Sequence, residues 1–246
     1  MQWSDEGIII SFKKHGENSA IIHMLTKAHG LHAGMINSIT THKVKAIYQA
    51  GNIVSATWKA RLSEHIGSYN AEMLEAISNA LLVDNLRLTA LNSICSIIFF
   101  SLPEREPEEE IFEALYSLLH LLKNNDDSWL KSYVLLELLI LVKTGFGLDL
   151  SECAATGQKN DLIYVSPRSA KAVSIIAGEP YKDKLLKLPE FFKHTEKQAN
   201  IREIIEGLNL TGYFLERHNL MPRKVKMPYT RIKLKELISR IGAEVS

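Results

Sequence analysis

Over the first 70 residues, short apolar runs alternate with polar, glycine-bearing clusters. Gly7 to Phe12 is apolar and ends at Lys13-Lys14-His15-Gly16-Glu17-Asn18, a turn-like stretch. Ser19 to Thr26 resumes with Ile21, Ile22, Met24 and Leu25, and Lys27-Ala28-His29-Gly30 marks a second turn. Leu31 to Ile39 alternates loosely. In Asn52 to Trp58, Ile53, Ser55 and Thr57 fall on one side, and Val54, Ala56 and Trp58 on the other. That is the two-residue period of a strand. Arg61 to Tyr69 supplies a fifth candidate. Five short strands with such turns predict a small closed β-barrel, whose closure removes the edges a small sheet would leave open.

The period changes near Asn70. Met73, Ile77, Ala80 and Leu81 recur at helical spacing. A second helix is predicted around Leu88, Leu91, Ile94, Cys95 and Ile98, ending before Pro103. Pro107 and the glutamates after it suit a first helical turn, where carboxylates meet the positive end of the helix dipole. Ile111, Leu115, Leu118, Leu119 and Leu122 form that helix's stripe, and Asn124 to Ser128 reads as loop and cap. Trp129 to Lys143 is apolar enough to be central, and Gly145 and Gly147 end it. Four helices in succession predict a bundle-like core. Residues 148–189, with Gly157, Pro167, Gly178, Pro180 and Pro189, read as an irregular insert with a small hairpin near Leu162 to Val165. Helix returns over Ala199 to Leu208, Thr211 to Arg217 and Tyr229 to Ile241. The expected class is therefore α+β: a barrel over 1–70 and a helical domain over 71–246 that carries the insert.

Composition changes this picture little. Of 246 residues, 46% are apolar and 23% charged, which suits a folded protein without disorder. The two cysteines, Cys95 and Cys153, fit a reducing compartment. The start has no secretory signal pattern, and no apolar run reaches the roughly 18 residues of a membrane span. The expected location is the cytoplasm, and no membrane partner is expected.

Charge mapping says more than the net charge of +1. From Arg217 to Arg240 there are eight basic residues and one acid, Glu236: Arg217, Arg223, Lys224, Lys226, Arg231, Lys233, Lys235 and Arg240. Pro222 and Pro228 bracket the densest part, which should be extended and exposed. These side chains are candidates for phosphate or for an acidic partner segment, with Arg217, Arg223, Lys224, Lys226, Lys233 and Lys235 as the candidate contacts. Acids collect instead between Glu104 and Glu113. The barrel carries Lys13, Lys14, Lys27, Lys43, Lys45, Lys59 and Arg61. Lys13-Lys14 and Lys43-x-Lys45 are expected in loops, and Lys13, Lys14, Lys43, Lys45 and Arg61 are the candidate DNA contacts. Lysine and arginine neutralise phosphates without reading sequence. Phe12, Tyr48 and Trp58 are candidates for base stacking, with Trp58 more at home in the core.

The usual catalytic motifs are missing. There is no phosphate-cradling glycine loop followed by Lys and Ser/Thr, no nucleophile elbow and no zinc-protease helix. No enzymatic activity and no cofactor are expected. Six of the nine histidines lie in the first 65 residues, but their spacing matches no standard metal-ligand pattern. His29 and His32 should diverge from a turn, and a solvated or DNA-facing role is expected for the group.

The chain resembles the RecO family of bacterial DNA repair proteins, and is similar in detail to its alphaproteobacterial branch. The matching pieces are Trp3-x-Asp5-Glu6-Gly7-Ile8-Ile9, His15-Gly16-Glu17-x-Ser19-Ala20-Ile21, Thr26-x-x-His29-Gly30 and Gly51-Asn52. They continue with Leu138 through Gly145-Phe146-Gly147-Leu148-Asp149-Leu150, Tyr164-Val165-Ser166-Pro167, and Tyr213-Phe214-Leu215-Glu216-Arg217-His218. Their order and spacing carry the resemblance. It implies an N-terminal OB-fold and a helical C-terminal domain. It also implies binding of single- and double-stranded DNA and annealing of complementary strands. The implied partners are RecR and the C-terminal tail of the single-strand-binding protein, with RecA loaded indirectly, in the RecF pathway. The alternatives are a general single-strand binder or partner-docking module without mediator activity, and a transcriptional regulator, for which no helix-turn-helix is evident. Zinc-bearing relatives place two Cys-x-x-Cys pairs in the insert. Here only Cys153 remains, with Thr156 three residues on and Ser174 and Ala177 at the second spacing, so a degenerate, zinc-free insert held by packing is expected.

Overall fold

Strand β1 (Gln2–His15) is longer than its apolar run, because it serves two neighbours in turn. Its first half pairs with β4 (Ile53–Lys59) and its second with β2 (Ser19–Thr26). The β1–β2 register shifts between Ile9 and Ser11, and such irregularities bend a strand. Strand β2 pairs with β3 (Gly30–Asn37), β4 pairs with β5 (Ser68–Glu75), and Met35 of β3 pairs in parallel with Ser68. The five strands close into a barrel in the order β1-β2-β3-β5-β4. Ile9, Ala20, Ile22, Met24, Val54, Ala56 and Trp58 fill it, so the alternation expected for β4 holds. The structure, a computed structural model, describes residues 1–62 and 64–245, apart from the side chains of Lys43, Glu244 and Val245.

Two local expectations are overturned. The fifth strand is not Arg61 to Tyr69 but Ser68–Glu75, and Met73 lies on it rather than on a helix. Tyr69 and Ala71 point inward while Ser68, Asn70 and Glu72 are exposed. That two-residue period is hard to see in a segment with so few β-branched side chains. Helix α2 is only Ile77–Ala80. Secondly, Lys43 and Lys45 are not in a loop. They lie on α1 (His42–Ile47), whose N-cap Thr41 accepts a hydrogen bond from the Val44 N–H at 3.4 Å.

The chain divides into two compact units, residues 1–129 with 228–231, and residues 130–227 with those from Ile232 onward. In the first, α3 (Asn85–Ser101) packs on β1 and α4 (Glu109–Lys123) packs on α3. Gly51, at φ +85°, permits the close approach: a Cβ there would meet Leu91 Cδ1 at 2.4 Å. Glu75, at the end of β5, accepts from His120 and Lys123 in the last turn of α4, at 3.2 and 2.7 Å. Of the four helices expected to form one bundle, α3 and α4 thus belong with the barrel.

Helix α5 (Trp129–Lys143) has the expected bounds, and its length from Leu130 onward lies in the second unit. There Glu137, fully buried, accepts a hydrogen bond from Thr211 Oγ1 at 2.6 Å. The insert holds a three-stranded sheet in the order β7-β6-β8, formed by β6 (Leu162–Val165), β7 (Ala172–Ser174) and β8 (Leu186–Lys187), with the one-turn α6 (Ile175–Gly178) after β7. The two helices expected after residue 199 are one. Helix α7 (Ile201–Phe214) starts with an Asn200–Glu203 capping box and runs on into a π-turn, Leu215–Leu220. The last helix, α8, is Tyr229–Val245. Among the described residues, no helix is long and apolar enough to cross a membrane.

Candidate nucleic-acid interface

Lys14 reaches the end of the barrel by strand geometry. Phe12 pairs with Ile22 and Lys14 with Ala20, and paired residues share a face. Ile22 and Ala20 are barrel core, so Phe12 and Lys14 continue that inward-facing row to the β1–β2 turn, where both are exposed. Lys13 and Ser11 share the other face with Ile21 and His23. Helix α1 brings Lys45 to the same end. Lys14 and Lys45 line one cleft of about 680 Å³, with Ile10, Phe12, Ile39 and Tyr48 from the barrel side and Asn92 and Cys95 from α3. Neither lysine forms an ion pair among the described residues. The sequence-expected group is therefore brought together in part. Lys13 adjoins Lys14 on the neighbouring face. Arg61, exposed in the β4–β5 connection, does not line the cleft. The side chain of Lys43 lies outside the described residues.

Lys27 is spent on acids. Its Nζ is 3.3 Å from Glu109 Oε1 and 2.6 Å from Glu113 Oε1. The acidic stretch is held against the β2–β3 turn: Arg105 N–H donates to the Leu31 carbonyl at 2.8 Å, and Gly30, at φ +68°, lies so close to Glu106 that a Cβ would overlap its carbonyl. Lys14 sits at the opposite end of β2, whose eight residues span roughly 25 Å. Along β2, Lys14 thus lies at the end away from the acidic stretch.

Of the three stacking candidates, one is accessible. Trp58 is core, 2% exposed, with Nε1 donating to the Ala33 and Ile66 carbonyls at 3.2 and 3.1 Å. Tyr48 is 5% exposed and borders the cleft from below, and burial pushes its phenol pKa up. Phe12 is 38% exposed. The histidines correct another expectation. His29 and His32 do not diverge: the His29 ring stacks on Trp3 at 3.9 Å, and His32 meets the same Trp3 edge-on at 5.1 Å. His32 is buried and hydrogen-bonds the Ala33 carbonyl through Nδ1 at 3.0 Å. It faces neither solvent nor DNA.

The sequence reading passed over Asn52 and Asn92. Asn52 is buried, and its Nδ2 donates to the carbonyls of Ala46 and Ile47 at 2.8 and 3.3 Å while its Oδ1 accepts from Ser78 N–H at 3.1 Å. It thereby satisfies carbonyls at the end of α1 that the helix leaves open, and holds the helix that carries Lys45. Asn92 and Ser96, one turn apart, line the α3 wall of the cleft, but the helix also carries Asn85, Arg87, Thr89, Ser93 and Ser101, so nothing in the sequence singles the two out.

In the basic C-terminal segment the expected exposure holds for part. Arg223, Lys224, Lys226 and Lys235 are exposed, and Lys233 is half-buried. Met221–Arg223 is a 3₁₀ turn and Lys224 has φ +58°, so the start of the stretch is turned rather than extended. Arg217 Nη1 donates to the Pro167 carbonyl at 2.6 Å and lies 3.2 Å from Tyr213 Oη. Arg231 is 2% exposed. The surface charge is accordingly less than the sequence count of +7.

In the insert, spacing turns into contact. The Ser174 N–H donates to Cys153 Sγ at 3.3 Å, and the Gly157 N–H donates to the Cys153 carbonyl at 2.8 Å. Burial works to raise the Cys153 pKa. Hydrogen bonds from Ser174, Thr156 and Ala155 outweigh it and bring the thiol down to about 6. Cys95, buried in α3, is pushed up to about 12 by desolvation. Among the described residues, no three His, Cys, Asp or Glu side chains gather as a metal site.

Comparison with known proteins covers the chain from end to end. The family described as "Recombination protein O N terminal" matches residues 1–77, and "Recombination protein O C terminal" matches residues 82–227. The DNA repair protein RecO of Rhodospirillum centenum is 41% identical over 235 residues, 95% of this chain and 93% of its own. That of Rhodospirillum rubrum is 40% identical over 248 residues, covering 99% and 98%. That of Bradyrhizobium diazoefficiens is 44% identical over 227 residues, covering 91% and 89%.

Proposed function

The chain belongs to the RecO family, and on that premise we propose that it is a non-enzymatic mediator of DNA repair and recombination. In this reading the five-stranded barrel, through Glu75, is an OB-type DNA-binding domain. The helical part of the chain beyond it receives partners, with a degenerate, zinc-free insert at 148–189. The chain binds single- and double-stranded DNA and anneals complementary strands. With RecR it assists RecA loading on single strands coated by the single-strand-binding protein, whose acidic C-terminal tail docks on the helical domain.

The observation that carries the DNA-binding part is the meeting of Lys14 and Lys45 at one cleft, both without an ion-pair partner among the described residues. Cations left unpaired on a concave surface focus a positive field, and phosphates answer it with counterion release. Lys13 and Lys43 are assigned to the same contact as sequence neighbours of Lys14 and Lys45, and Arg61, which does not line the cleft, is assigned to DNA on charge alone. Arg223, Lys224, Lys226, Lys233 and Lys235 are assigned to the partner or to DNA, with Arg217 as a weaker contributor because of its bonds to Pro167 and Tyr213. The order of strands and the parallel β3–β5 pairing support an OB-type barrel, a fold whose β1–β2 and β4–β5 loops bind oligonucleotides. Titration of the chain onto unrelated single- and double-stranded sequences tests the reading. Binding to all of them, weakening steeply with salt, is expected. Binding confined to one sequence, or indifferent to salt, would overturn it.

A further inference from the structure

We propose that the cleft between the β1–β2 turn, α1 and α3 is a subsite for one unstacked nucleobase of a bound single strand. The inference rests on the DNA-binding reading above and names the ligand group that the cleft receives. At about 680 Å³ the cleft has the size of a small-molecule site rather than of a packing defect. Its most buried lining is apolar, with Ile10, Ile39 and Tyr48 each no more than 5% exposed, as the flat face of a base requires. Phe12 stands at the rim, 38% exposed, where an aromatic ring can stack on any base.

Polar groups are placed as a base and its phosphates need them. Asn92 presents its carboxamide on the α3 wall, and that side chain has no hydrogen-bond partner among the described residues. A carboxamide offers donors and an acceptor side by side, which complements the edge of a base. Lys14 and Lys45 stand at the mouth for the flanking phosphates. Glu17 of the β1–β2 turn is the one acid among the described lining residues, against the two lysines. A second cleft, of about 720 Å³, lies beyond α1 and shares Tyr48. Among the described residues it is lined by no lysine or arginine, and it contains Glu72, so size alone does not make the site.

The test compares two oligonucleotides of equal length with the full chain, one with all its bases and one with an abasic run, and adds a strand carrying 2-aminopurine as a reporter of unstacking. The base-bearing strand is expected to bind about tenfold more tightly, with a rise in 2-aminopurine emission. Phe12→Ala combined with Asn92→Leu should abolish that preference, whereas Lys14→Ala with Lys45→Ala should weaken both strands. The strand comparison needs only the unaltered chain, so a variant that fails to fold does not spoil it. Equal affinity for both strands would overturn the subsite while leaving DNA binding intact. Equal affinity together with displacement of the reporter strand by an acidic peptide would assign the cleft to a protein partner. Binding of neither strand would overturn the DNA-binding reading and the subsite with it.

Discussion

Lys14 of β1 and Lys45 of α1 line the same cleft, although β2, β3 and the first turn of α1 separate them in the chain. Replacing both by alanine should weaken binding to unrelated DNA sequences about equally. It should also flatten the dependence of log affinity on log salt by roughly two phosphate contacts. Fluorescence anisotropy across a salt series reads both quantities. An unchanged slope with the fold intact would remove these two residues from the interface.

Asn52 holds the end of α1 through Ala46 and Ile47 and reaches Ser78 with its other atom. Asn52→Ala leaves the buried Ser78 N–H and the part-buried carbonyls of Ala46 and Ile47 without this partner, at a cost of about 1–3 kcal/mol. A shift of the urea midpoint without a change in slope is the expected signature. DNA affinity should fall as well, because the helix carrying Lys45 loses its anchor. Stability equal to that of the unaltered chain would contradict the role given to Asn52.

His32 links the fold to pH. Burial lowers its pKa below the ordinary 6.5, with the hydrogen bond to Ala33 opposing that in part. The folded state then binds fewer protons than the unfolded one just below pH 6.5. Stability is present above that value and is lost as pH falls through and below it. His32→Gln should flatten the stability profile below about pH 6.5. A profile identical in the two proteins would contradict this assignment.

The two cysteines should titrate far apart. Cys153, with its thiol at about 6, is a thiolate at neutral pH, while Cys95, at about 12, stays protonated. Thiolate absorbance should therefore rise with a midpoint near pH 6 and disappear in Cys153→Ser. A midpoint in the ordinary cysteine range, about 8.5, would mean that the bonds from Ser174 and Thr156 do not govern the sulfur.

Much of this architecture is legible from periodicity. The bounds of β2 and α5 and the inward row Val54, Ala56 and Trp58 follow from hydropathy alone. Strand β5 is hidden because Asn70, Glu72 and Glu75 weaken its strand signal, and α1 because six residues give too short a period to see. The site is legible only as a list of cations and stacking candidates, of which Phe12 and Tyr48 line the cleft. Closure of the barrel decides which of them meet. It brings Lys14 to Lys45, gives Lys27 to Glu109 and Glu113, and leaves Arg61 off the cleft. Burial of Arg231 and the bond from Arg217 to Pro167 likewise depend on tertiary packing, which no count of charges contains.

Annealing of coated strands separates mediation from simple binding. Complementary strands are coated with the cognate single-strand-binding protein, and duplex formation is followed with and without this chain, and with and without RecR. The chain is expected to speed annealing of the coated strands, Lys14→Ala with Lys45→Ala to reduce the effect, and RecR to alter it. Annealing no faster than in the chain's absence, with DNA binding intact, would contradict mediation and leave a single-strand binder.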